Sequence, residues 1–552
     1  MKRCIVLACL ACAVAAPGFA QDPAPAPPKA TASIAGRVTA TDTGKVIGGA
    51  VVVALSWDVM RVPKTARTDP QGRFEFTGLL PGRYELSLTA AGYLPYETSG
   101  NRVGNALPPI DLEEGARFDK ANISLHRPGA IEGRMLDEFG DPAPNVLVQV
   151  NRFEYAAGRR RLMPVGSRTA VRPTDDRGHF RVSGVAPGSY YITALAGAFV
   201  EEGGPAGFAP TYYPGTTDIA AAMPVEVKIG ETTPEVTFPL AAVRTARVAG
   251  ALFGGDGQPV AQGTLMLMVR DSLRSPALTL ARAVSSRDGS FVFRNVPPGS
   301  YTVQAWGRLL GQAGNLNAAE FGTLPVTVSG PDLTELVVNV ARGATARGRV
   351  IFDESSAARP KPEQVRVAGR PVEFDTAPFS GGPTPTDMHD DWTFEIQNLA
   401  GGWVIRADVQ SPDWTLKRIT LGGKDITDTP IEFKGKDVND LEVTLTTRNA
   451  SIAGAVTDAT GRPVGRYTVI VFASDPARWI FPSRFIALGR PNQEGRFKVT
   501  GLSPENYLVI AVPAIQGSEW QDPEFLESLR PLAQAVTLAD GEAKTLDLKL
   551  RQ

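Results

Sequence analysis

The sequence predicts an all-β protein, a tandem array of about five antiparallel β-sandwich domains. Three observations predict it. Short stretches of alternating apolar and polar residues recur along the chain, punctuated by turns drawn from 56 Gly and 45 Pro in 552 residues. One residue pattern returns five times at intervals of roughly 100 residues, the size of a domain and not of a solenoid turn. Helix signals are scarce. A single hydrophobic core could not serve a chain of this length.

Residues 1–20 read as a signal peptide. Lys2 and Arg3 precede an apolar run over 4–16, and Gly18 and Ala20 place small side chains before a cleavage point after Ala20. Cys4, Cys9 and Cys12 all lie in this segment. The mature chain is therefore expected to lack disulfides, thiolate metal ligands and a cysteine nucleophile. Residues 21–31 read as a Pro-rich linker, extended as polyproline over Asp22-Pro23-Ala24-Pro25-Ala26-Pro27-Pro28. No later apolar run is long enough to span a bilayer, so no transmembrane segment is expected in the mature chain.

Five units follow, over 32–127, 128–241, 242–342, 343–448 and 449–552. Each opens with a glycine and an apolar residue two places on: Gly36/Val38, Gly133/Met135, Gly250/Leu252, Gly348/Val350 and Gly454/Val456. Each closes with an alternating strand ending at Leu125, Leu240, Val340, Leu445 or Leu550. The middle is sharpest. Unit one reads Asp69-Pro70-Gln71-Gly72-Arg73-Phe74-Glu75-Phe76, then Leu80-Pro81-Gly82-Arg83-Tyr84. Units two, three and five repeat it around Gly178/Phe180/Tyr190, Gly289/Phe291/Tyr301 and Gly495/Phe497/Tyr507. Asp or Asn with Gly makes a tight turn, because Gly accepts positive φ and the acidic side chain caps local amides. Alternation then puts Phe and its second neighbour on one face, and the Tyr starts the next strand toward the same core. Unit four is degenerate: Trp392 stands where glycine is expected, and Leu399-Ala400-Gly401-Gly402-Trp403 is one residue shorter than the proline–glycine–tyrosine step. The best helix starts at Asp522-Pro523-Glu524, with Asp as cap, Pro in the first turn and Pro531 as its limit.

This pattern resembles the carboxypeptidase regulatory-like domain, specifically in units one to three, well in five and weakly in four. Pro210-Thr211-Tyr212-Tyr213-Pro214-Gly215-Thr216 and the stretch from Trp414 to Asp428 resemble segments of tandem bacterial exported proteins. The resemblance implies a seven-stranded, prealbumin-like sandwich, grouped with carbohydrate-binding-like folds. In carboxypeptidases the module has no catalytic role, and in outer-membrane receptors it precedes a barrel. Neither neighbour is expected here.

A net charge of −1 removes the electrostatic case for nucleic acid. His126, His179 and His389 fall in different units, against a shared triad or zinc site. Asp387-Met388-His389-Asp390-Asp391, Asp137-Glu138-Phe139-Gly140-Asp141 and Gly255-Asp256-Gly257 read as hairpin turns before cation sites, since the ligand spacing of a calcium loop is missing. Arg159-Arg160-Arg161 reads as a solvated loop. No catalytic residue, metal site or cofactor is expected. Among aromatics, Trp57, Tyr93, Trp306, Trp414, Trp479 and Trp520 are expected to plug sandwich ends. Tyr212 and Tyr213, in a Pro- and Gly-rich loop, form the best exposed pair for stacking on a ligand. The expectation is a non-catalytic exported protein, periplasmic, outer-surface or secreted, that binds, adheres or scaffolds in the cell envelope. Its partner would be a polysaccharide or a cell-envelope protein. The alternatives are a carbohydrate-binding protein using loop aromatics and a hydrolase with an inter-module site. Short junctions such as Arg342-Gly343 predict a semi-rigid rod.

Overall fold

Alternation along Ala32–Ala40 puts Ala32, Ile34, Val38 and Ala40 on a buried face. The computed structural model describes residues 29–56, 60–97, 107, 109–156, 158–165, 172–196, 206–270, 279–307, 320–353, 358–373, 377, 384–385, 388–411, 413–513, 515 and 517–551. The expected signal peptide, most of the expected linker, Trp57 and Asp387 lie outside them. Nearly everything described is strand, turn or loop.

The opening strand Ala32–Ala40 pairs with the Phe-x-Phe strand Arg73–Leu79 on one side. On the other it pairs with the closing segments Arg117–Phe118 and Ile123–Leu125. A second sheet orders Met60–Arg67, Val51–Ser56, the tyrosine strand Gly82–Thr89, and then Tyr96–Glu97 and Ile110–Leu112. The two sheets face each other across Phe74, Phe76, Tyr84, Leu86 and Ile123. The same scheme recurs with opening strands Gly129–Leu136, Ala246–Phe253, Ala344–Phe352 and Ala450–Thr457. Buried apolar residues accordingly fall in five clusters, within 32–125, 131–240, 246–340, 344–445 and 450–548.

In each unit the opening strand pairs in parallel with the closing segment, which in units one and five is split into two short strands. This explains the opening glycine. A Cβ on Gly36, Gly133 or Gly250 would lie 2.0 Å from a carbonyl oxygen of the closing segment, and one on Gly454 would lie 1.9 Å away. The position is one of close backbone approach, not of a turn.

The turn glycines Gly72, Gly178, Gly289 and Gly495 take φ of 73°, 73°, 77° and 74°. Trp392 holds the same left-handed conformation, φ 67°, so unit four keeps the turn without the residue that makes it easy. A second left-handed position precedes the last residue of each Phe-x-Phe strand: Gly78, Gly184, Asn295, Asn398 and Gly501. There the register to the opening strand slips, as between Ala32/Leu79 and Ile34/Phe76, so all five units carry the same bulge. Unit four is also a sandwich. Its closing strand Val438–Thr446 is flanked by Thr415–Leu421, extending that sheet to six strands against a three-stranded partner. The segment from Trp414 onward supplies that strand.

The helix Pro523–Leu529 forms as expected: the Asp522 carboxylate accepts from the Glu524 amide, and Leu526 and Leu529 are buried. Among the described residues no helix is long and apolar enough to cross a membrane.

The units do not form the expected rod, because loops reach past their chain neighbours. The Gln493 side chain donates to the Asp111 carbonyl at 3.1 Å, joining units five and one. Arg159 of unit two pairs with Glu373 of unit four at 3.2 Å. A Cβ on Gly517 would lie 3.5 Å from Glu154, so units five and two also touch. Arg406 and Arg484 bind units four and five together. Unit five thus contacts units one, two and four.

Candidate functional site

The residues that recur most are those with chemistry to offer, and each has a structural partner. In unit one the Asp69 carboxylate accepts from the backbone amides of Gln71 and Arg73. Asp175 caps Arg177 and His179, and Asn492 caps Glu494 and Arg496. In units three and four the cap moves to Asp288 and Asp391, each holding the amide and hydroxyl of the residue two ahead. These bonds favour the charged form, so Asp69, Asp175, Asp288 and Asp391 all titrate below the usual carboxylate range.

The tyrosines act as corner pins. The hydroxyls of Tyr84, Tyr190, Tyr301 and Tyr507 donate to the carbonyls of Leu80, Ala186, Pro297 and Ser503, four residues upstream, at 2.7–3.0 Å. All four rings are fully buried, and burial pushes the phenol pKa of Tyr84, Tyr301 and Tyr507 upward. In unit four Trp403 does the same with its indole, donating to Ala400 at 2.8 Å. The reach is three residues, which matches the shorter loop.

Tyr212 and Tyr213 do not stand out as an open pair. Both are half-buried. Tyr212 lies on the short strand Thr211–Tyr212 paired to the tyrosine strand, and burial raises its phenol pKa. The Tyr213 ring meets Phe238 edge-on at 5.7 Å and packs on the unit-two core. Trp306, Trp414 and Trp479 are buried, and the Trp414 and Trp479 indoles donate to the Ala358 and Ala473 carbonyls. Tyr93 and Trp520 are half-buried against the cores of units one and five.

His126 is half-buried near a unit junction, and burial pushes its imidazole pKa down. His179 is exposed, 3.9 Å from Asp175. His389 occupies the hairpin turn: its amide and carbonyl bond the Thr393 carbonyl and the Trp392 amide. Asp137 caps Phe139 and Asp141 in an ordinary turn, and Asp256 caps Gln258. Among the described residues no group of three His, Cys, Asp or Glu gathers to hold a metal. The arginine run is a correction. Arg159–Pro164 is a strand paired with Leu147–Ala156, Arg161 is 3% exposed, and Arg160 lies 4.9 Å from the Phe153 ring centre. Arg159 and Arg160 remain exposed, Arg160 with its guanidinium over the Phe153 ring, so the correction concerns the strand and the buried Arg161.

Sequence reasoning missed one charged site, at the seam of units four and five. There the Asp428 carboxylate receives three guanidiniums: Arg484 at 3.1 Å, Arg406 at 3.3 Å and Arg478 at 3.9 Å. Arg406 also donates to the carbonyls of Thr427 at 2.5 Å and Pro482 at 2.7 Å. These residues come from four separate stretches, so no local spacing announces them.

The family model of the carboxypeptidase regulatory-like domain matches residues 33–119. No curated protein matches the chain. Among solved structures, GBS52, the minor pilin of Streptococcus agalactiae, aligns at 14% identity over 39% of this chain and 98% of that one, with a TM-score of 0.23. BcpA, the major pilin subunit of Bacillus cereus, aligns at 13% over 56% and 99%, TM-score 0.16. The Bacillus anthracis TIE protein aligns at 10% over 74% and 73%, TM-score 0.16. At such scores none of them bears on what this chain does. Residues 33–119 are thus similar to the carboxypeptidase regulatory-like domain, and the opening, Phe-x-Phe and tyrosine strands of that stretch recur in the four sandwiches behind it.

Proposed function

We propose that the chain is a non-catalytic, exported array of five domains, bounded at 32–127, 128–241, 242–342, 343–448 and 449–552, that serves as a binding, adhesion or scaffold module of the cell envelope. One observation carries this reading: the recurrent Asp, Gly, Phe and Tyr positions are all consumed in closing the fold. An array built this way offers surface, held by contacts between distant units, rather than a cleft with free acid and base groups. Either an envelope protein or a polysaccharide would suit that surface. Carbohydrate capture by Tyr212 and Tyr213 has weaker support, because Tyr213 is engaged with Phe238. A hydrolase site at a unit seam has weaker support too, because the Asp428 carboxylate is already surrounded by arginines.

The test is fractionation of the tagged full-length protein expressed in its own host, followed by rebinding of the purified chain to washed envelopes. Saturable rebinding without turnover of ester, peptide or glycoside substrates supports the proposal. Turnover that survives purification and disappears with one substitution contradicts it.

A further inference from the structure

The seam between units four and five is more than a clamp. Beside the Asp428 cluster a cleft opens, lined by Arg370, Arg406, Asp408, Ser483, Arg484 and Ser503. Its volume is about 260 Å³, near the lower end of ligand clefts. That is room for one sugar-sized ring or for an oxyanion with several waters.

The charges do not balance. Three arginines line the cleft, with Asp408 in its wall and Asp428 behind it. Asp428 is shared among Arg406, Arg478 and Arg484, and the remaining carboxylate near Arg478 is Glu505, at 3.6 Å. In the cleft wall itself three arginines face one carboxylate, Asp408, while Asp428 and Asp425 lie behind the wall near Arg484. Only 13% of the Arg406 side chain is exposed, and burial pulls its pKa down; Asp428 works against this, while Arg484 and Arg370 add to it. Arg370 is the most exposed arginine of the set: 51% of its side chain is exposed, and its ion pair with Asp408 is long at 3.5 Å. Its guanidinium can swing to an incoming ligand with little loss. The Ser503 hydroxyl, which accepts from Arg484 at 2.7 Å, adds a donor in the same wall, whereas the Ser483 hydroxyl is committed to the Arg478 carbonyl.

We propose that this cleft binds a single oxyanion group, a carboxylate, sulfate or phosphate, carried by a small or sugar-sized ligand. Arg370 is the contact that forms on binding, and Arg406 and Arg484 supply the fixed positive wall. Guanidinium forks match such groups bidentately, and a partly enclosed site strengthens the attraction over that at an open surface. The site does not depend on the envelope role proposed above, and it would exist equally in a soluble exported protein.

The experiment is isothermal titration of the full-length chain with sodium sulfate, sodium phosphate and sodium galacturonate, each at ionic strength matched with chloride. The expected result is saturable binding at one site per chain by at least one of the three. The preferred anion then separates a sulfate ester, a phosphate ester and a uronate as the natural group. Arg370→Gln should weaken binding about tenfold, the value of a charge-assisted contact, and Arg370→Lys should restore part of it. Because Arg370 is half exposed, neither variant should move the thermal transitions. No saturable binding by any of the three anions beyond the chloride control, or equal affinity in wild type and Arg370→Gln, would overturn the proposal. A second variant, Arg484→Lys, keeps the charge but loses the fork on Asp428; it should weaken binding as well, and unchanged binding would count against the fixed wall.

Discussion

Gly454→Ala tests the reading of the opening glycine. The added Cβ would sit 1.9 Å from the Leu546 carbonyl oxygen, 2.7 Å from its carbon and 3.2 Å from the Phe497 ring. Ordinary contact begins near 3.4 Å, so the closing segment must retreat by about 1.5 Å. It cannot do so cheaply, because the Leu546 amide donates to Ala453 at 2.8 Å and Leu548 is paired beyond it. Overpacking of this kind costs about 1–3 kcal/mol. Loss of the backbone bond adds about 1 kcal/mol. A cost of roughly 2–4 kcal/mol lowers the melting of a domain of about 100 residues by roughly 8–32 °C. The assay is differential scanning calorimetry of the full chain, with the unit-five transition identified by proteolysis within 449–552. Several transitions are expected, so the shift is read on that one and not on a global midpoint. Gly465→Ala is the control, since its Cβ meets nothing within 4 Å. It should leave the transition within a few degrees. If Gly454→Ala costs under about 1 kcal/mol, or if both variants shift alike, close approach of the parallel strand is not why the glycine is there.

The other predictions concern the pins, the odd turn and acid. Tyr190→Phe removes the 2.7 Å bond to Ala186 and leaves that carbonyl without its partner; unit two should lose about 1–3 kcal/mol in urea denaturation, and no loss would deny the pin. Trp392→Gly relieves a left-handed tryptophan, worth about 1 kcal/mol, but gives up the edge contact with Phe352 at 4.6 Å, so the net change in unit four should stay near zero. By contrast Trp403→Ala should cost about 3–5 kcal/mol, and near-equal effects of the two would refute the distinction. Acid should act late on units two to five. The carboxylates of Asp175, Asp288, Asp391 and Asp458 titrate below their unfolded value, so their contribution is full above about pH 4 and is lost as pH falls through the lower folded value. In unit one, burial keeps His126 neutral, so stability should also decline as pH drops below about 6.5, and His126→Gln should remove that decline.

Much of this fold was legible because its signals are local. Alternation located the strands, Asp-x-x-Gly located the hairpins, and the helix announced itself through Asp522, Pro523 and a shared face of Leu526 and Leu529. What stayed hidden depends on residues far apart in the chain. The opening glycine stood out in the sequence only as a recurring position, and the parallel strand beside it supplies the reason. The bulge needed the recognition that Asn295 and Asn398 stand in for Gly78, Gly184 and Gly501 at one backbone conformation. The arginine run looked solvated because nothing near it in sequence shows that Arg161 is covered. Tyr212 and Tyr213 looked open because a Pro- and Gly-rich loop usually is, yet Phe238, from the closing strand of the same unit, lies against the second ring. The seam of units four and five joins Arg370, Arg406, Asp428 and Arg484, which no spacing rule connects.

The central claim is that five separate sandwiches are each closed by the same few positions. Native-state hydrogen exchange on the full-length chain measures it most directly. Slowly exchanging amides should appear in five sets, each joining an opening strand, a Phe-x-Phe strand and a tyrosine strand, with Ala344–Phe352 and Thr393–Leu399 of unit four as protected as their counterparts. Protection spread as one unbroken core that ignores the repeat, or absent from the strands of unit four, would contradict it.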